Sequence, residues 1–334
     1  MASGNTLTPA PVTVIPVQSR SRVRQLLNVG RLVSNLSIII LVVVLLLLAL
    51  FVPNFATSRN IVNIFVQAST LGLMAIGVSN VLITGGIDLS IPSNMALSAI
   101  LGAMVMRDTG NLVGGALVMV LAGTLIGSFN GFAVAKLKMI PFVVTLATMT
   151  VLSGTAVWIT NSTSVAITSE EFYGTLLDRT LTIPRPIIIL AVVALIATVV
   201  IRKSLYGRWL YAIGVNVKAA RVSGVPTERV IFSAYVVSGF FAGLTAVLLS
   251  ARLGSASANM GNDGVVLDVI SSAVVGGVSI YGGVGGPLGA VLGAIFITAI
   301  SNSMNAMQIS YFTSLIIKGI VIITFVALDT LRRR

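Results

Sequence analysis

The chain has 334 residues, 56% of them hydrophobic and only 9% charged, with a mean hydropathy of +1.04. Such scarcity of charge excludes a large soluble body and defines an all-α, polytopic membrane protein. The formal charge of +12 would suggest nucleic acid in a soluble protein. Here the basic residues cluster in loops and at span ends, where membrane orientation accounts for them.

Cys and His are both absent. That removes disulfides, thiol chemistry, and the commonest general base and metal ligand. Nine acids in all leave little material for a metal cage or a carboxylate pair. No Walker-type phosphate loop occurs either. The chain is expected to be non-catalytic and to bind no cofactor or metal itself, so any active transport draws on a partner or an ion gradient.

Residues 1–35 are polar and carry Arg20, Arg22, Arg24 and Arg31. They are expected to form a disordered cytoplasmic tail. The apolar run LSIIILVVVLLLLALFV is long for a cleaved signal core and is taken as the first span. A second span is expected over about 61–83, a third over 94–106, a fourth over 112–135 and a fifth from Pro141 to about Ile159. Lys136 and Lys138 mark a short cytoplasmic turn between the last two. The stretch 160–184 has no basic excess and belongs outside. Span six follows Pro184 and Pro186 and ends at Arg202. Spans seven to ten are expected over about 231–250, 265–280, 288–304 and 311–328, and the end is basic at 331–334. Ten spans put both termini inside, and every basic cluster then falls on the cytoplasmic side. One transmembrane unit, 36–330, is expected, with several short or broken helices. Trp158 and Trp209 fit interfacial anchors at opposite span ends.

Residues 202–229 hold six of the 21 basic residues: Arg202, Lys203, Arg208, Lys218, Arg221 and Arg229. Asn216 is a plausible N-cap. VKAARVS makes about two turns of helix, and Gly224 is placed to end them in a left-handed conformation. Such a helix on the membrane surface suits a groove on another protein; the plain alternative is an ordinary positive-inside loop.

In ITGGIDLS, Gly85 and Gly86 weaken the helix, and Asp88 stands at the end of an apolar span beside Ser90. Two roles are open to Asp88: lining a watery path, or capping the next helix. Asp268 and Lys318 lie inside expected spans and are candidates for a buried pair, with a snorkelling Lys318 as the alternative. GGVGG at 282–286, including Gly282 and Gly283, permits a sharp bend or close packing and is not a nucleotide site.

Four segments carry a wider likeness: GVSNVLITGGIDLSIPS, NGFAVAKLKMIPFVVTLATMTVLSG, GRWLYAIGVNVKAARVSGV and VVGGVSIYGGVGGPLGAVLGA. They resemble the permease subunits of ribose-type ABC importers, which serve pentoses, hexoses and autoinducer-2. The likeness covers nearly everything after residue 50. It implies about ten helices per subunit, two subunits around one path, a separate ATP-binding subunit that holds ATP and Mg, and a periplasmic binding protein, all at a bacterial inner membrane. It implies that the loop at about 203–230 holds a coupling helix, with Asn216, Lys218, Ala219, Ala220, Arg221, Gly224 and Glu228 at the ATPase contact. Gly85, Gly86, Asp88, Ser90, Asp268, Gly282 and Gly283 are then expected beside the path or at helix breaks. Val266 and Val284 replace a Glu and an Arg frequent in that family, which leaves one half of an autoinducer-2 heterodimer as an alternative. An ion-coupled secondary transporter is a second alternative, and a membrane enzyme is disfavoured.

Overall fold

A computed structural model of the chain describes residues 40–333. The expected 1–35 tail lies outside the described residues. The helices in chain order are α1 (Ile40–Phe51), α2 (Ser58–Ile83), α3 (Ile91–Thr109), α4 (Leu112–Ala135), α5 (Pro141–Thr160), α6 (Glu170–Leu177), α7 (Arg185–Lys203), α8 (Leu205–Val215), α9 (Val217–Val222), α10 (Thr227–Leu253), α11 (Asp263–Val275), α12 (Pro287–Ala306) and α13 (Tyr311–Arg333). Local chemistry places many of the boundaries. Thr57 and Asn111 cap α2 and α4 with their side chains, and Pro stands in the first turn of α3, α5, α7 and α12, where its missing N–H is harmless.

Among the described residues, six helices, α2, α4, α5, α7, α10 and α12, are long and apolar enough to cross a membrane, and α1 and 311–327 are shorter apolar helices. The protein is a polytopic membrane protein. Each expected span coincides with a helix, although the eighth stops at Val275 rather than near Ile280. Two helices were not expected: α6 in the stretch 160–184, and α8 within the basic loop.

The bundle has an apolar core, with Leu73, Ile76, Met95, Ile100 and Phe296 fully buried, and it also turns large apolar side chains outward. On α4 the large side chains Val113, Leu117, Leu121, Leu125 and Phe129 face outward and are exposed, while Gly115, Gly123, Gly127 and Gly131 are buried. Gly115 admits α3, and Gly123, Gly127 and Gly131 let α10 approach closely: a methyl group added at Gly239 would lie 2.3 Å from the Gly123 carbonyl oxygen. Dispersion between backbones holds such pairs where lipid supplies no hydrophobic drive. α3 is buried along most of its length between α4, α5 and α10, although it carries Ser93, Asn94 and Ser98. Asn94 donates to the Gly123 carbonyl at 3.0 Å, and Ser93 and Ser153 share a hydrogen bond of 2.9 Å.

The connections gather at two ends. At one, Val165–Ala166 pairs antiparallel with Ser255–Ala256, and a cavity of about 470 Å³ opens between Arg107, Gly110, Ser169 and Glu171. At the other, Lys136 and Lys138 reach Glu228 at 3.2 and 2.5 Å, beside α8 and α9.

Candidate functional site

The chain leaves helical geometry at 84–90, between α2 and α3, with Gly85 at φ +80° turning it. Asp88 in this break is 2% exposed. Its Oδ1 accepts from the Ser90 N–H at 3.0 Å and the Ser90 hydroxyl at 2.7 Å, and its Oδ2 accepts from the Ser238 hydroxyl at 2.7 Å. The first contact is an Asx turn, in which a short side chain satisfies backbone two residues on. Ser90 is itself the N-cap position of α3 but makes no side-chain cap bond. Asn130 of α4 donates to the Ser90 oxygen at 2.8 Å, and Thr148 of α5 donates to Asn130 at 2.7 Å. The Ile87 carbonyl accepts from the Tyr235 hydroxyl at 3.2 Å and the Thr145 hydroxyl at 3.3 Å. The break is therefore tied to α4, α5 and α10 through hydrogen bonds in a low-dielectric interior, where leaving any of these groups unmade is expensive. Both Asp88 oxygens are engaged by protein donors.

The second glycine cluster lies against the first. Gly282 and Gly283 have φ of +87° and +75°, and the Gly283 N–H donates to the Ile83 carbonyl at 2.9 Å. Gly85, Gly86, Asp88, Ser90, Gly282 and Gly283 thus share one region. Asp268 does not join them. It lies on α11 and meets Lys318 of α13 at 2.9 Å, with the side chains 20% and 14% exposed respectively. Of the two open readings of Lys318, the geometry selects pairing. Val266 is buried and Val284 is 38% exposed.

The basic loop folds into two helices. Asn216, between α8 and α9, accepts from the Ala219 N–H at 3.0 Å through Oδ1 and so caps α9. Gly224 has φ +83°, the Val225 N–H donates to the Ala220 carbonyl and the Gly224 N–H to the Arg221 carbonyl, each at 3.0 Å. These two bonds make a Schellman motif, the ending that favours glycine. Lys218, Ala219, Arg221 and Gly224 are exposed, whereas Ala220 is buried at 5% and faces the bundle. Of the two adjacent alanines, only Ala219 is therefore available at the surface. Val222, which sequence reasoning passed over, is 90% exposed at the tip. Glu228 faces Lys136 and Lys138 rather than solvent alone. Sequence reasoning also missed Asn130, although an Asn inside an apolar helix was signal enough. Ser238 and Thr148 gave no such signal, because Ser and Thr in helices commonly bond to their own backbone.

The family model described as the permease component of branched-chain amino acid transport systems matches residues 60–326. The chain belongs to this permease family. The permease is also 33% identical to the ribose import permease RbsC of Haemophilus influenzae over 307 residues, covering 90% of this chain and 95% of the relative. It is 36% identical to the Bacillus subtilis RbsC over 291 residues (86% and 90%), and 33% identical to the L-arabinose permease AraH of Escherichia coli over 297 residues (89% and 90%). No solved structure matches the permease. The likeness drawn from the glycine–aspartate motif and the basic loop is borne out along most of the chain.

Proposed function

We propose that the chain is the membrane-spanning subunit of an ABC importer for a pentose or related monosaccharide, energised by a separate ATP-binding subunit. The observation that carries this reading is end-to-end similarity to permeases named for ribose and for arabinose. The family description names amino acids, but the relatives named for pentoses align over nearly their whole length, which favours a sugar. Nothing favours an autoinducer-2 pair or an ion-coupled carrier.

In this reading ten helices cross the inner membrane of a bacterium as one unit: α1 to α5, α7 and α10 to α13. The ends bearing Lys136, Lys138 and the α8–α9 loop face the cytoplasm, as both termini do. A second permease copy completes the path. A binding protein delivers the sugar to the opposite end, near the cavity beside Arg107 and Glu171. The chain performs no catalysis, and ATP and Mg belong to the partner. Asn216, Lys218, Ala219, Arg221 and Gly224 present α9 to that partner, Ala220 supports it from beneath, and Glu228 lies beside them, facing Lys136 and Lys138. The Asp88 break and the Gly282–Gly283 turn form the element beside the path that changes between inward and outward states.

The test is reconstitution in lipid of the permease with its ATPase and binding protein. Binding protein loaded with the correct pentose is expected to stimulate ATP hydrolysis and sugar uptake together. Uptake that persists without ATP and follows a proton or sodium gradient refutes the proposal.

A further inference from the structure

The α8 helix sits between the exposed α9 and the two glycine-rich breaks, and meets them through backbone at Gly214 and through the side chain of Tyr211. A methyl group added at Gly214 would lie 1.9 Å from the Ile83 carbonyl oxygen and 2.3 Å from the Gly283 nitrogen. One added at Gly282 would lie 2.9 Å from the Gly85 nitrogen and 3.0 Å from the Gly214 oxygen. The hydrogen bond from Gly283 N–H to the Ile83 carbonyl closes this three-way contact at 2.9 Å. Three segments far apart in sequence, at 83–85, 214 and 282–283, therefore touch backbone to backbone.

The rest of α8 is held as firmly. The Tyr211 hydroxyl donates to the Gly285 carbonyl at 2.7 Å, and Leu210 and Ile213 are buried at 0% and 1%. At its other end, Gly207 packs against the last turns of α7, where an added methyl group would lie 1.8 Å from the Ile201 oxygen. Only Asn216 separates α8 from α9. Side chains absorb displacement by changing rotamer, whereas a backbone–backbone contact transmits it, because close-packed interiors are nearly incompressible. Beyond the contact, the Ile87 carbonyl carries the connection into α5 and α10, the Asp88 carboxylate into α10, and the Ser90 hydroxyl into α4.

We infer that Gly214 and Tyr211 are positioning residues that join the α9 foot to the breaks at 84–90 and 276–286, so that movement of the foot shifts both breaks together. This rests on the proposed importer function and adds to it the route of coupling. Gly214 and Gly224 divide the work. Gly224 has open space where a side chain would go and serves only to end α9, whereas Gly214 has none and serves the contact.

The experiment uses the complete transporter in lipid and measures sugar moved per ATP hydrolysed, alongside retention of the ATPase subunit. Gly214→Ala is expected to keep the ATPase subunit bound while transport per ATP falls about tenfold. Tyr211→Phe, which removes one hydroxyl and little volume, is expected to lower the same ratio roughly threefold to tenfold. If Gly214→Ala does not accumulate in the membrane, Tyr211→Phe decides alone by that ratio. Wild-type transport per ATP in Tyr211→Phe, and in Gly214→Ala where it accumulates, overturns the inference. The underlying function fails separately, if the unaltered chain shows no ATP-dependent uptake.

Discussion

The Asp268–Lys318 pair provides a direct energetic test, because it joins two helices that the bundle otherwise holds by apolar contact. At 2.9 Å and an effective dielectric of about 20, the attraction is about 6 kcal/mol. Desolvation of two ions offsets most of it, so the intact pair stabilises α11 against α13 only modestly. The asymmetry lies in removing one partner. Lys318→Met leaves a carboxylate whose side chain is only 20% exposed, inside the bundle and without a counter-charge, and costs about 3–5 kcal/mol. For a chain of this size that is a fall in melting midpoint on the order of 5–10 °C. Asp268→Leu is expected to fall comparably. The double substitution, with both charges gone and the volume retained, is expected to melt near the original temperature. Thermal melts of the purified permease in one detergent, at fixed pH and salt, measure all four. A double variant as unstable as the sum of the singles would show that packing, not charge compensation, is lost, and the reasoning would fail.

Three further outcomes follow from the geometry. Gly224→Val forces a β-branched residue to φ +83° at a cost of about 1–2 kcal/mol, so association with the ATPase subunit is expected to weaken roughly fivefold to thirtyfold with normal membrane accumulation, as read by co-purification. Asp88→Ala strands the Ser90 and Ser238 donors in a buried site and is expected to cost about 3 kcal/mol; Asp88→Asn, which keeps an acceptor, is expected to lose less, and melting midpoints rank the two. Glu228→Gln removes a group whose ion pairs with Lys136 and Lys138 are solvent-exposed; no measurable change in melting midpoint is expected, at low or high salt.

The α9 foot was legible because its determinants are local. A cap at Asn216 and a left-handed glycine eight residues later specify a short helix almost regardless of surroundings. The inward turn of Ala220 was not legible, since two adjacent alanines are chemically identical until a helix face is given something to pack against. α8 escaped notice for a related reason. Its sequence, LYGRWLYAIGV, packs charge, aromatics and glycine into a short stretch, and the helix is held by contacts at Gly207, Tyr211 and Gly214, the last with the Ile83 carbonyl, far away in sequence. The Asp88 motif announced a helix break, but its partners Ser238, Asn130 and Thr148 come from three other helices.

Composition and periodicity alone decided that this chain lives in a bilayer, roughly where its apolar spans lie, and which loops carry its positive charge. Those properties depend on transfer free energy and on backbone groups within a few residues of one another. Tertiary structure decided that Asp268 belongs with Lys318 and not with Asp88, and that glycines at 85, 214 and 282 meet at one point. Small residues bring backbones together in lipid through shape alone, and shape complementarity between distant segments leaves no mark on the order of the amino acids.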